Sequence, residues 1–158
     1  MKFLFLILFF CLTCTVGYCQ NSVHVKGKGY DGYIFNKDYD IFGTIEDQQS
    51  RYTPTIADIQ NVERILKDSI NYIRANQVIC YKCPVIHKNL RKYKRQYVGY
   101  LNQKDEVIIW INFLKDHEES SELAEEVVFM LDGGSYYWSI YINLNKKELF
   151  NMKVNGIS

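Results

Sequence analysis

Proline is nearly missing from this chain: Pro54 and Pro84 are the only two in 158 residues. That scarcity excludes Pro-rich linkers and PPII tracts as its organising feature. A charge excess is missing too, with 19 Lys+Arg against 18 Asp+Glu. A chain so balanced has no general attraction for nucleic acid or anionic lipid, so neither is expected as a partner. Histidine is scarce at three residues, which thins the supply of general bases and metal ligands. Long apolar runs are absent after residue 20, none reaching the roughly 18 residues a membrane-spanning helix needs. Cysteine is scarcer than its count of five implies, because Cys11, Cys14 and Cys19 all fall in the first nineteen residues.

Those first residues, MKFLFLILFFCLTCTVGYCQ, set a single Lys2 ahead of an apolar run from Phe3 to Leu12, followed by small and polar residues. The layout is that of a signal peptide over 1–19. We therefore expect cleavage near Cys19-Gln20 and a secreted or periplasmic product. Lipidation is the competing reading, but Phe10, Thr13 and Tyr18 precede the three cysteines where a lipidation site wants small residues. Loss of the leader leaves about 139 residues and removes Lys2, so 18 basic residues face 18 acidic ones. Such a length suits one domain with a real core.

What is present in quantity is aromatic, at 15% with 13 Tyr, as strands and half-exposed sheet faces favour. Residues 20–50 scatter these among Gly27, Gly29, Gly32 and Gly43. They read as an irregular N-terminal arm in which Tyr33-Ile34-Phe35 and Asp40-Ile41-Phe42 form short edge strands at most. Residues 51–158 read as a single α+β domain. Its first element opens on Thr55 with Asp58 three residues on, a capping-box pattern. Ile59, Val62, Ile65, Leu66, Ile70 and Ile73 then recur at helical spacing, which predicts one long amphipathic helix ending near Asn76. KRQYVGYL and VIIWINFL, separated by residues 102–106, predict a hairpin. EEVVFML and YYWSIYINL around Asp132-Gly133-Gly134 predict another, and LFNMKVNG a last strand. The expected fold class is α+β: one long amphipathic helix packed on an antiparallel sheet of four to five strands.

This order resembles the cystatin-like superfold, in which a curled antiparallel sheet wraps one helix. The motifs YTPT…DI…VERIL, KRQYVGY and DGGSYYWSIYINL…VNG, spread over residues 52–156, also resemble those of small exported bacterial proteins of unknown function. That resemblance implies no activity, cofactor or catalytic residue for any position here.

Cys80 and Cys83, in CYKCP, are the only thiols beyond the leader. In an oxidising compartment they are expected to pair as a local disulfide. A CxxC also reads as a redox dithiol, and a tight, strained ring is the more easily reduced kind. Thioredoxin-like sites, however, set the pair directly after a strand at a helix start and oppose it with a cis-proline. Here a helix precedes it, and no proline follows Pro84. Pro84 does suit the start of a short helix over PVIHKNLRKY, which keeps a thiol-disulfide enzyme as the alternative. A third reading is a metal site through Cys80, Cys83 and His87, completed by His117 or His24. No second close-spaced ligand pair supports it, and no metal or cofactor is expected.

The basic run His87–Arg95 and the acidic run 116–126 read as two solvated faces, or more sharply as a dipolar surface for an exported partner or an anionic glycan. Asp132-Gly133-Gly134-Ser135 leads into β sequence, so it reads as a turn and not a phosphate cradle. Glu125 and Glu126 on a strand point opposite ways and make a poor acid/base pair. No catalytic set emerges. The expected function is an exported, non-catalytic binding domain for a protein or small ligand, with Tyr137 and Tyr141 on the open sheet face as its candidate surface.

Overall fold

The computed structural model describes residues 20–41, 47–77, 82–115 and 120–156. The leader expected over 1–19, Cys80 and His117 lie outside these. Within them the chain runs β1 (Ser22–Gly27), β2 (Tyr30–Phe35), β3 (Gln48–Tyr52), α1 (Ile56–Asp68), α2 (Ile70–Asn76), α3 (Ile86–Asn89), a 3-10 turn over Leu90–Lys92, β4 (Tyr93–Asn102), β5 (Val107–Lys115), α4 (Ser120–Glu125), a 3-10 turn over Gly134–Tyr136, β6 (Tyr137–Asn143) and β7 (Glu148–Val154).

All seven strands belong to one mixed sheet of order β1-β2-β4-β5-β6-β7. This corrects the expected sheet of four to five antiparallel strands under one long helix, and with it the cystatin-like arrangement. Two local features account for the difference. Residues 20–50 are not an irregular arm: they supply β1, β2 and the start of β3. Valines at 23 and 25 alternate with polar residues in β1, and Lys28-Gly29 turns the chain into β2, Gly29 adopting φ +96. That is a two-residue hairpin whose glycine supplies the left-handed backbone the turn demands. β2 then lies parallel to Arg95–Tyr97 of β4, while β3 lies antiparallel to Gly99–Asn102 farther along the same edge. β2 and β3 thus share one side of β4 end to end.

The helix is also not continuous. Thr55 caps α1 as expected: its hydroxyl accepts from Asp58 N at 3.1 Å, and the Asp58 carboxylate accepts from Thr55 N at 2.9 Å. At Ser69 the backbone leaves helical geometry (ψ 25). Ser69 N donates to Ile65 O at 2.9 Å, and Ser69 O accepts from Tyr72 N at 2.9 Å to start α2. Serine competes for backbone hydrogen bonds and favours helix ends. The apolar spacing nevertheless runs straight through the break, because Ile73 stays on the buried face.

Side-chain alternation assigns the two sheet faces. Tyr93, Tyr97, Ile109, Ile111, Phe113, Trp138, Ile140 and Ile142 pack against Ile59, Val62, Ile65, Leu66, Ile73 and Ile86 to make the main core. Each buried aliphatic or aromatic side chain there contributes roughly 1.5–3 kcal/mol. Phe113 and Trp138 stack with centroids 3.8 Å apart, and Tyr93 meets Trp138 edge-on.

The opposite face is only half covered. There EEVVFML is not a strand; it ends α4 and then runs over the sheet without regular secondary structure. Buried Gln96 and Asn112 hold it. Gln96 Nε2 donates to Leu123 O (3.1 Å) and Glu126 O (2.6 Å), Gln96 Oε1 accepts from Val128 N (2.9 Å), and Asn112 Nδ2 donates to Val128 O (2.7 Å). Two core amides therefore satisfy the backbone of a segment that has no strand partner of its own. Phe129 stacks on Trp110, and the cover stops near there.

Candidate functional site

Beyond that cover, the same face is open among the described residues over the far ends of β4, β5, β6 and β7. The strand pairing sets Tyr100 opposite Ile108, Ile108 opposite Asn143, and Tyr141 opposite Phe150. The result is a hollow of about 440 Å³ whose lining includes these residues with Asn102, Glu106 and Lys146. Its aromatic wall is continuous. Tyr100 meets Tyr141 edge-on at 6.4 Å, and Tyr141 stacks on Phe150 at 5.4 Å with 29° between the rings. Tyr100 is almost fully buried. Burial, then the neighbouring Tyr141 and Asp47, push its phenol well above the ordinary range, so it stays protonated and can donate.

The polar side of the hollow is built around Glu106. Its carboxylate accepts from Asn102 Nδ2 at 3.0 Å, from Asn143 Nδ2 at 2.9 Å, and from Lys146 Nζ at 2.9 and 3.1 Å. Asn102 Oδ1 in turn accepts from the backbone N–H of Lys104 and of Glu106. The β4–β5 and β6–β7 turns are thereby tied to one carboxylate. The Lys146 hydrogen bond, followed by that of Asn102, brings the Glu106 carboxyl down from 4.5 to about 2. Charge-assisted bonds of this kind fix geometry as well as charge. A preorganised polar rim beside a half-buried aromatic wall is the usual make-up of a small-ligand site.

The residues singled out from the sequence are dispersed. Tyr141 stands in the hollow, but Tyr137 does not. It lines a separate cavity of about 80 Å³ with Leu114, Val128 and Asn155, and packs in the small cluster under α4. Cys83 is half-buried just ahead of Pro84, whose carbonyl accepts from Ser135 Oγ at 2.6 Å. Cys80 lies outside the described residues, so its pairing with Cys83 is not described. The helix after Pro84 has only four residues, too short to offer the aligned amides a reactive thiolate draws on. His87 hydrogen-bonds Gln77 Nε2 through Nδ1 at 2.7 Å, and His24 pairs with Asp31 at 2.8 Å. Among the described residues no three metal-ligating side chains gather.

The basic run is divided by its strand: Lys94 reaches Asp31 at 2.9 Å while Arg95 is buried against Glu63 at 2.8 Å. Gly133 and Gly134 both take positive φ and lead through a 3-10 turn into β6, the turn expected. Asn102, Glu106 and Phe150 were not anticipated, and Asn143 was expected only to share the strand face of Tyr141. Their one sequence signal was the polar-aromatic alternation Tyr137, Ser139, Tyr141, Asn143, which marks a face without saying which strands adjoin it.

No helix among the described residues is long and apolar enough to cross a membrane. Comparison with protein-family models, curated proteins and solved structures finds no match.

Proposed function

We propose that this is an exported, non-catalytic binding domain whose ligand rests in the hollow around Tyr141. The observation that carries the reading is the juxtaposition of an aromatic wall with an amide–carboxylate–ammonium cluster on a part of the sheet face left uncovered among the described residues. Aromatic faces take up flat apolar surfaces, and the cluster exchanges hydrogen bonds with hydroxyl or amide groups. A ligand with both properties is a neutral sugar chain, whose C–H faces stack and whose hydroxyls donate and accept. Glu106 is engaged by three side chains and its carboxyl is depressed, which suits a fixed acceptor and not a proton-transfer group. Isothermal titration with chitotetraose and cellotetraose tests the reading. Saturable binding of at least one, weakened about tenfold or more in Tyr141→Ala as expected for loss of an aromatic anchor, supports it. Binding of neither, or binding indifferent to that substitution, contradicts it.

The export proposal has a structural corollary at Cys80 and Cys83, which we take to form a local disulfide that pins the turn between α2 and α3. A reduction potential well below that of the glutathione pool is expected, whereas one near or above that pool would revive the redox reading.

A further inference from the structure

The other face of the sheet carries a second hollow, a groove of about 400 Å³ between α1, the β1–β2 turn and the 3-10 turn before β4. Its charged lining is Lys28, Glu63, Arg64, Lys67, Arg91 and Arg95. The single acid is already engaged: Glu63 forms an ion pair with Arg95 Nε at 2.8 Å and accepts from the Tyr97 hydroxyl at 2.7 Å. Burial pushes the Glu63 carboxyl up, against the pull of Arg95 and Tyr97, and the charge it carries is met by Arg95. Arg64 is partnered by Asp68 and Asn61. Lys28, Lys67 and Arg91 have no ion pair or side-chain hydrogen bond among the described residues. They come from three different elements and converge on one groove.

Arg95 forms the floor, 1% exposed. A guanidinium has five N–H donors. Nε faces Glu63 as an ion pair at 2.8 Å without hydrogen-bond alignment, Nη1 donates to Tyr93 O at 2.8 Å, and Nη2 donates to Gly29 O at 3.2 Å. Each Nη keeps one N–H without a partner among the described residues. Fully buried donors normally find acceptors. Arg95, whose Nε has no hydrogen-bond acceptor, lines the same groove as three uncompensated cations. Arg95 Nη2 also holds the turn that carries Lys28, and the Arg91 side chain packs against Gly29. The cations are therefore mounted on a braced frame. Tyr30, Leu66 and Leu90 supply an apolar wall beside them.

We propose that this groove binds the tetrahedral oxyanion of an organic phosphate or sulfate ester, the anion set between Lys28, Lys67 and Arg91 above Arg95 and the organic part against Tyr30, Leu66 and Leu90. Three uncompensated cations favour such a group over a neutral ligand, and a tetrahedral oxyanion has oxygens enough to accept from several donors at once. The site is independent of the sheet-face hollow, which opens on the opposite face.

The test is NMR titration of the purified protein with phenyl phosphate, phenyl sulfate and phenol. We expect saturable shifts at Gly29, Leu90, Arg91 and the 60–67 turns of α1 with one or both esters and none with phenol. The better ester identifies the source of the anion. Lys28→Gln and Arg91→Gln, both exposed positions outside the core, each weaken binding about tenfold, the scale of a lost charge-assisted hydrogen bond. Lys146→Gln, in the other hollow, leaves it unchanged. Matching thermal melts show that the variants fold. Shifts spread over all lysines without saturation, equal response to phenol, or indifference to both groove variants would overturn the proposal.

Discussion

Glu106 is where local chemistry has the plainest consequence. Its carboxyl is held at about 2 instead of 4.5, first by Lys146 and then by Asn102. A carboxyl depressed in the folded state binds fewer protons there than in the unfolded chain. Its stabilisation is therefore complete above the unfolded value and is lost as pH falls through the window from about 4.5 to 2. Asp31 acts in the same direction. Burial pushes it up, but Lys94, His24 and Lys26 outweigh this and bring it from 3.8 to about 2. Stability should thus decline across that acid range. In Lys146→Gln the Glu106 carboxyl should rise by about one unit, as expected when a charged donor is lost, read by carboxyl-carbon NMR. An unmoved titration in that variant would mean that Lys146 does not hold the carboxylate. None of this was visible in the sequence, where Glu106 was one of five polar turn residues and its partners lay 4, 37 and 40 positions away.

At the level of elements, legibility followed how local the determining forces were. The Thr55–Asp58 box was readable because cap and partner are three residues apart. The hairpin of β4 and β5 was readable because alternation and turn are contiguous. The stop at Ser69 was not, since neither proline nor glycine marks it and the apolar spacing persists. β1 was missed, and β2 was read only as a short edge piece over Tyr33-Ile34-Phe35, because their glycines read as disorder of the pattern when they are its instruments. Gly32 shows this best. It faces Arg95 across the parallel pairing of β2 and β4, and a Cβ there would collide with the Arg95 carbonyl. The parallel contact requires a residue with no side chain at that point. Gly32→Ala should cost about 3 kcal/mol, at the upper end for overpacking, measured by urea denaturation. A cost within about 0.5 kcal/mol, the level of a neutral surface change, would show that the β2–β4 approach tolerates a methyl group.

For the whole molecule, what was legible is that helices and strands share one core and that Tyr141 belongs to an exposed sheet face. What was not legible is the order of strands. The hollow exists because β4, β5, β6 and β7 lie side by side, because the chain after α4 covers only part of that face, and because Gln96 and Asn112 fix where the cover lies. Each of these is a contact between distant residues that no local pattern encodes. The same reasoning separates Tyr137 from Tyr141: they share a face by alternation, yet the cover falls over one and not the other. It also explains why the basic run did not act as a unit, one residue being drawn into the core, one to Asp31 and one to the groove of α1. The central claim, that the uncovered face is the ligand site, is tested most directly by amide chemical-shift mapping of the purified protein with whichever neutral tetrasaccharide binds it. The account predicts perturbations confined to Tyr100–Glu106, Tyr141–Lys146 and Phe150, with residues 56–76 on the opposite face unmoved. Perturbations centred on α1 and α2, with those three segments silent, would contradict it.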